Sequence, residues 1–359
     1  MSKYLHLLSI ALLLLTSIDA FARQYSKMSP PRTLSAEQSA RAASNYQKYC
    51  SLCHGKNREG YVNDHAPSLK SKTLFESGIP HAVLRPLQYG REGTPMGGYL
   101  DEVGGPMTLD ETWDLTYWLF WQAGVDRLRL GTEPVEGDAK KGAELYKKNC
   151  TACHGVNGEG VNAPALFNQS ALAHNSDEFI RYTIAKGRQD TPMQAYEKLL
   201  SADDIDNLTA FIRSRDKGGQ HKKAVLRGLP KPEDYVINPE GKDPEFNLDD
   251  GIYVSSKDLY KAIQEKRKMV LLDTRVTSVW QTAHIEGSIP VPYYYNADRA
   301  VRDLPKDVQI VAYCSCPRAS AEFVVNKLRS KGYKNTAVLY EGIFGWQNFG
   351  YPLVRGETE

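Results

Sequence analysis

Neither sign of charge dominates this chain, which carries 45 lysines and arginines against 43 aspartates and glutamates over 359 residues. Without a basic excess there is no field to neutralise a phosphate backbone, so no nucleic-acid partner is expected. Long apolar runs are also scarce. The one that stands out, Leu7 to Leu15 behind Lys3, falls short of the roughly 20 residues that a spanning helix needs. It is followed by Ala20-Phe21-Ala22, the small-x-small pattern of a signal-peptidase site. Residues 1–22 therefore read as a signal peptide cleaved after Ala22, and the mature chain is expected in the periplasm with no integral membrane segment. The next most apolar stretch, Trp113–Trp121, contains Asp114 and many aromatics, which points to a packed helix. Cysteine is sparse as well. Of six, four lie in two CxxCH segments and two are separated by one residue, so none is left to bridge distant elements.

What is present is an internal repeat. Cys50-Ser51-Leu52-Cys53-His54 recurs as Cys150-Thr151-Ala152-Cys153-His154, Ala66-Pro67-Ser68-Leu69 as Ala163-Pro164-Ala165-Leu166, and Gly90-Arg91-Glu92-Gly93-Thr94-Pro95-Met96 as Gly187-Arg188-Gln189-Asp190-Thr191-Pro192-Met193. Self-similarity of this kind marks two complete units. Helix formers precede each cysteine pair, over Ser35–Tyr49 and Asp138–Asn149. Capping patterns at Thr108-Leu109-Asp110-Glu111 and Ser201-Ala202-Asp203-Asp204 open helices through Trp121 and Ser214. The order in each unit is helix, CxxCH, loop, methionine, helix. A Gly-, Lys- and Pro-rich stretch over 218–250 reads as a linker, extended by its prolines. Beyond it, short apolar strands at Met269–Asp273, Gln309–Tyr313 and Thr336–Leu339 alternate with helical patterns at Ser256–Lys266 and Ala319–Ser330, the signature of an α/β domain with a mainly parallel sheet.

CxxCH carries chemistry because two thiols three positions apart both add to the vinyl groups of one haem, while the histidine that follows reaches the iron. A zinc site would use further ligands, and a redox CxxC has no need of the histidine. On these motifs the chain resembles class I cytochrome c domains twice over, across about 36–125 and 133–217, within units set at 35–128 and 133–217. The resemblance implies two all-α cytochrome c domains and two covalently bound haem c groups on Cys50, Cys53, Cys150 and Cys153, with His54 and His154 as proximal iron ligands. It further implies that the carbonyls of Pro67 and Pro164 accept from the other ring nitrogens. Met96 and Met193 hold equivalent places before the last helices and are the expected sixth ligands; Met107 is the competing thioether, with core packing as its other reading. His65, His81 and His174 read as solvated loop residues, with substitute iron ligation as their other reading, and Arg91 and Arg188 as propionate partners or ordinary surface arginines.

The third unit, 251–359, centres on Cys314-Ser315-Cys316-Pro317-Arg318 between a strand and a helix, where backbone N–H groups favour an anion and thiolate character. Leu272-Asp273-Thr274-Arg275, Ala283-His284-Ile285-Glu286-Gly287-Ser288, Ala312-Tyr313-Cys314, Tyr340-Glu341-Gly342-Ile343-Phe344-Gly345-Trp346 and Gly350-Tyr351-Pro352 together resemble the rhodanese family across about 253–355. That resemblance implies Cys314 as a persulfide nucleophile with loop amides stabilising the charge, and Arg318, read from its place beside the loop, adds a nearby positive charge for an anion. Two departures stand in the loop: Pro317 removes one N–H donor, and Cys316 supplies a second thiol, open to a resolving role or a short-loop disulfide. Asp273 and Arg275 read as a structural ion pair.

The expected function is therefore electron transfer through two haems, with redox partner proteins as donor and acceptor and a small sulfur compound as the substrate of the rhodanese-like domain. The competing expectation is a pure electron shuttle whose third domain is a non-catalytic docking module.

Overall fold

The computed structural model describes residues 25–218, 224–295, 302–315 and 318–358. The signal-peptide segment, Cys316 and Pro317 lie outside these residues. Among the described residues no helix is long and apolar enough to cross a membrane.

The first unit is helical. Its helices are α1 (Ala36–Tyr49), α2 (Ser51–His54), α3 (Lys72–Ser77), α4 (Pro80–Tyr89) and α5 (Leu109–Ala123). The second repeats them as α6 (Ala139–Asn149), α7 (Thr151–His154), α8 (Gln169–His174), α9 (Asp177–Lys186) and α10 (Ala202–Arg213). The capping patterns at Thr108 with Glu111 and Ser201 with Asp204 form reciprocal boxes as expected, and Ser35 with Gln38 forms a third, each satisfying N–H groups that the helix cannot. Gly124, in the left-handed region at φ 62°, ends α5. Helices α3, α4, α8 and α9 occupy what reads in the sequence as loop. α4 begins on Pro80, where no N–H is needed, and buries Leu84 and Leu87 despite Pro86 within it. Asp114, on the buried face of α5, is ion-paired to Arg41 at 2.7 Å and bonded to the Gln38 amide at 3.1 Å, so the charge is compensated where it enters the core.

The two units face each other reciprocally. Thr73 on α3 donates its hydroxyl to Gly187 O at 3.0 Å, and Arg188 donates to Thr73 O at 3.1 Å. In the opposite sense, Asn168 at the start of α8 donates to Glu92 O at 2.9 Å. Each methionine loop thus rests on the short helix of the other unit, an internal equivalent of a two-fold interface.

The third domain is built on strands β1 (Tyr253–Val254), β2 (Met269–Asp273), β3 (Ser288–Pro290), β4 (Gln309–Tyr313) and β5 (Thr336–Leu339) in the order β1-β5-β4-β2-β3, every pairing parallel. Burial on both faces explains the unbroken apolar runs of β2 and β5. Around it stand α11 (Ser256–Gln264), α12 (Thr277–Thr282), α13 (Ala319–Ser330) and α14 (Gly342–Asn348). The helical cytochrome c region is thus followed by a rhodanese-like α/β domain with a parallel sheet. Much of the Pro-rich stretch is tied to that domain: Ile237 bridges to Met269, and Phe246 and Leu248 pack on its core.

Candidate functional site

In the first CxxCH, α1 ends at Cys50 and the chain turns directly into α2. His54 N donates to Cys50 O at 2.9 Å, which fixes both cysteines and the histidine within one turn. His54 is buried, and its Nδ1 lies 2.8 Å from the carbonyl oxygen of Pro67. A carbonyl only accepts, so the proton sits on Nδ1 and the lone pair of Nε2 is left for a ligand-binding role. Burial lowers the ring's proton affinity, the Pro67 bond opposing, which favours neutral imidazole.

The second site repeats this geometry. His154 Nδ1 is 2.8 Å from Pro164 O, and burial lowers this ring also. Tyr46 donates to Gly55 O at 2.7 Å and Tyr146 to Gly155 O at 2.8 Å, each bracing the exit of its CxxCH turn. Those two glycines stand at φ 80° and 85°, conformations a side chain would strain.

The methionine loops match bond for bond. Arg91 N donates to Met96 O at 2.7 Å and Arg188 N to Met193 O at 2.9 Å; Thr94 and Thr191 each return their hydroxyl to the arginine carbonyl at 2.7 Å. Met96 and Met193 are both half-buried. Met107 is fully enclosed in the first core, its backbone bonded to Tyr99 and Asp101, the surroundings of a space-filling thioether. His174 bonds Ser170 O within its own helix, and His81 stacks edge-on against Trp113.

The residues present fit a covalently held haem c. Each thiol pair lies beside an imidazole with one nitrogen committed to a carbonyl, and buried guanidinium groups stand ready for an anionic edge. Burial alone pushes the Arg91 guanidinium down to about 10, and burial also brings Arg188 to about 10 against opposing help from Tyr182 and Glu76. Among the described residues Arg58 Nη1 is buried with no hydrogen-bond partner, which a propionate oxygen would supply.

In the third domain β4 delivers Cys314 into the turn before α13. Cys314 is 3% exposed, with Sγ 2.9 Å from Ser315 O. Arg318 holds the N-cap position of α13, but its guanidinium is sandwiched between Tyr253 and Tyr340, 4.8 and 4.3 Å from the ring centroids, and 3.4 Å from Glu322. A second guanidinium, that of Arg275, lies over the Tyr313 ring next to Cys314 in the chain. It is bonded to Asp273 Oδ1 at 2.9 Å and Ala283 O at 2.7 Å, and although burial opposes, Asp273 with help from Cys314 holds it firmly protonated. The Asp273–Arg275 pair is thus a buried ion pair whose two charges compensate each other.

The third domain packs against the first unit. Val276, Val279, Tyr293 and Tyr294 join the first unit's core beside Tyr49, Tyr99 and Met107. Ser278 donates to Gly98 O at 2.5 Å. Tyr293 donates its hydroxyl to Tyr49 O, the carbonyl immediately before Cys50, and lies 3.2 Å from the Tyr99 hydroxyl. The Cys53 thiol is pushed up by burial, by Asp64 and Cys50, and across this interface by Cys314. Local motifs do not reveal this arrangement; the only hint in the sequence is the tyrosine run 293–295, which no secondary-structure pattern explains.

Comparison with known proteins supports both halves. Residues 137–212 match the family described as Cytochrome C oxidase, cbb3-type, subunit III, and residues 255–349 match the Rhodanese-like domain. A cytochrome c domain of this type implies covalently bound haem c. The Cbb3-type cytochrome c oxidase subunit FixP of Bradyrhizobium sp. is 29% identical over 176 residues, 47% of this chain and 58% of that protein. An adenylyltransferase and sulfurtransferase of Candida albicans is 31% identical over 170 residues, 40% of this chain and 39% of that protein. The solution structure of a rhodanese-like domain from Anabaena sp. aligns at 26% identity over 29% of this chain and 78% of that one, with a TM-score of 0.27. The chain spans about half the length of the curated relatives it matches.

Proposed function

We propose that this chain is an exported, periplasmic dihaem c-type cytochrome in which the rhodanese-like domain couples electron transfer to the oxidation of a small sulfur compound. Cys50, Cys53 and His54 hold one haem c and Cys150, Cys153 and His154 the other, with Met96 and Met193 as sixth ligands. Ligation by a histidine and a methionine would raise the reduction potential, suiting one-electron transfer.

Moving a sulfane sulfur between thiols transfers no net electrons. Joining the Cys314 thiolate to hydrosulfide does: one S–S bond forms, one proton and two electrons leave, and the product is a persulfide. Two haem c groups supply acceptor capacity for one electron each. Within the chain, β4 ends immediately before Cys314, whose Sγ lies 2.9 Å from Ser315 O. The likeness to the Candida albicans adenylyltransferase and sulfurtransferase supports sulfur chemistry for the third domain.

The observation that carries this reading is the packing of the Cys314 domain against the first CxxCH unit, through Tyr293 on the carbonyl before Cys50. The deciding experiment mixes sulfide with oxidised holoprotein and follows haem reduction optically. Wild type should reduce much faster than Cys314→Ser. Equal rates in the two would leave a cytochrome with a non-catalytic docking module.

A further inference from the structure

The two cytochrome-like units differ in one hydrogen-bonded corner. In the second, Tyr196 donates to Asn149 O at 3.0 Å, the carbonyl before Cys150. In the first, Tyr99 donates to the equivalent Tyr49 O at 3.1 Å, and Tyr293 of the third domain donates to the same atom. Carbonyls at a helix C-terminus lack an intrahelical partner, and each has two lone pairs, so α1 can accept both phenols at once. Two phenolic protons are thereby shared among three oxygens. Burial keeps both hydroxyls protonated well above ordinary tyrosine values.

From Tyr293 the connection continues inward. Its backbone N–H donates to Thr274 O at 3.0 Å. Thr274 in turn gives both its N–H, at 2.9 Å, and its hydroxyl, at 3.0 Å, to Tyr313 O, the carbonyl before Cys314. Two residues, Tyr293 and Thr274, thus link the peptide before Cys50 to the peptide before Cys314. Val276 and Val279 pack the same seam, excluding water and keeping the local dielectric low.

We propose that Tyr293 is a positioning residue that pairs Cys314 with the first haem site and not the second, so that electrons released at Cys314 enter the chain at the first unit. This rests on the sulfur-coupled function above, and it adds which of two near-identical units is the partner. Tyr293 touches no reacting atom. It fixes the distance and orientation of the cysteine loop against α1, and its hydroxyl completes the hydrogen-bonded path between them.

The test uses the full-length, haem-loaded protein in a Cys316→Ser background, with the paramagnetically shifted haem-methyl resonances assigned through a Cys150→Ser/Cys153→Ser variant. Alkylating Cys314 with iodoacetamide should move the resonances of the first haem and leave those of the second in place. Tyr293→Phe keeps the ring but not the hydroxyl; it should itself shift the first-haem signals selectively and slow sulfide-driven reduction on the order of tenfold, the equivalent of one lost hydrogen bond. A second-haem response to alkylation as large as the first, or a Tyr293→Phe protein indistinguishable from its parent, overturns the assignment. Mass spectrometry of sulfide-treated protein tests the underlying function separately. Without a persulfide on Cys314 the sulfur reading fails, while the alkylation response still decides where Cys314 sits.

Discussion

A Cβ placed on Gly97 would lie 2.2 Å from Val276 Cγ1, so the absence of a side chain on the first unit is what lets the third domain approach it. Gly97→Ala should overpack this seam and cost about 1–3 kcal/mol where the domains meet. Differential scanning calorimetry should show a lower transition for the variant, and Cys314 should alkylate faster than in wild type. Unchanged labelling would mean that the seam yields without opening the cysteine loop.

The two candidate thioethers of the first unit are separable by substitution. Met96→Ala should abolish the methionine-to-iron charge-transfer band of one haem with a small change in stability, because Met96 is half-buried. Met107→Ala should keep both bands and cost about 2–5 kcal/mol through the cavity it leaves in the core. Loss of a band in the Met107 variant would exchange the assignments.

His284 gives the third domain a defined pH response. Its ring stacks on Trp280 with centroids 4.2 Å apart, its Nδ1 is 2.7 Å from Trp280 O, and burial lowers its proton affinity in the fold. A lowered folded value means that the unfolded chain binds the proton more readily. The stabilisation is therefore complete above the unfolded value near 6.5 and is lost as pH falls below it, with a slope of at most about 1.4 kcal/mol per pH unit. Denaturant titrations between pH 7 and pH 5 should show this slope in wild type and a shallower one in His284→Phe. Parallel slopes would assign the acid sensitivity to other groups.

Much of the architecture was readable from residues alone. The capping boxes at Thr108 and Ser201 are local signals, and they start helices where the pattern places them. Strands β2, β4 and β5 have the bounds that their apolar runs predict, because a strand buried on both faces leaves no alternative for such residues. Helices α4 and α8 are too short, and α4 too proline-marked, for periodicity to separate them from loop. Their stability comes from Leu84, Leu87 and Leu172 packing into the unit cores, a tertiary term no window of sequence contains. Arg275 shows the same limit: as an ion-pair partner of Asp273 it was legible, but its place over the Tyr313 ring exists only once β2 and β4 lie side by side.

By itself the sequence determined the chemistry that depends on near neighbours. Two thiols and an imidazole within one helical turn form the same local constellation in both repeats, and the position of Cys314 between an apolar strand and a helix is fixed by the adjoining residues. Only the tertiary structure decided which of the two repeats Cys314 faces. Cys50 and Cys150 stand in matching turns, so nothing local distinguishes them; a glycine opposite Val276 and a carbonyl able to accept both Tyr99 and Tyr293 bring the third domain to the first unit, and those contacts join residues about two hundred positions apart.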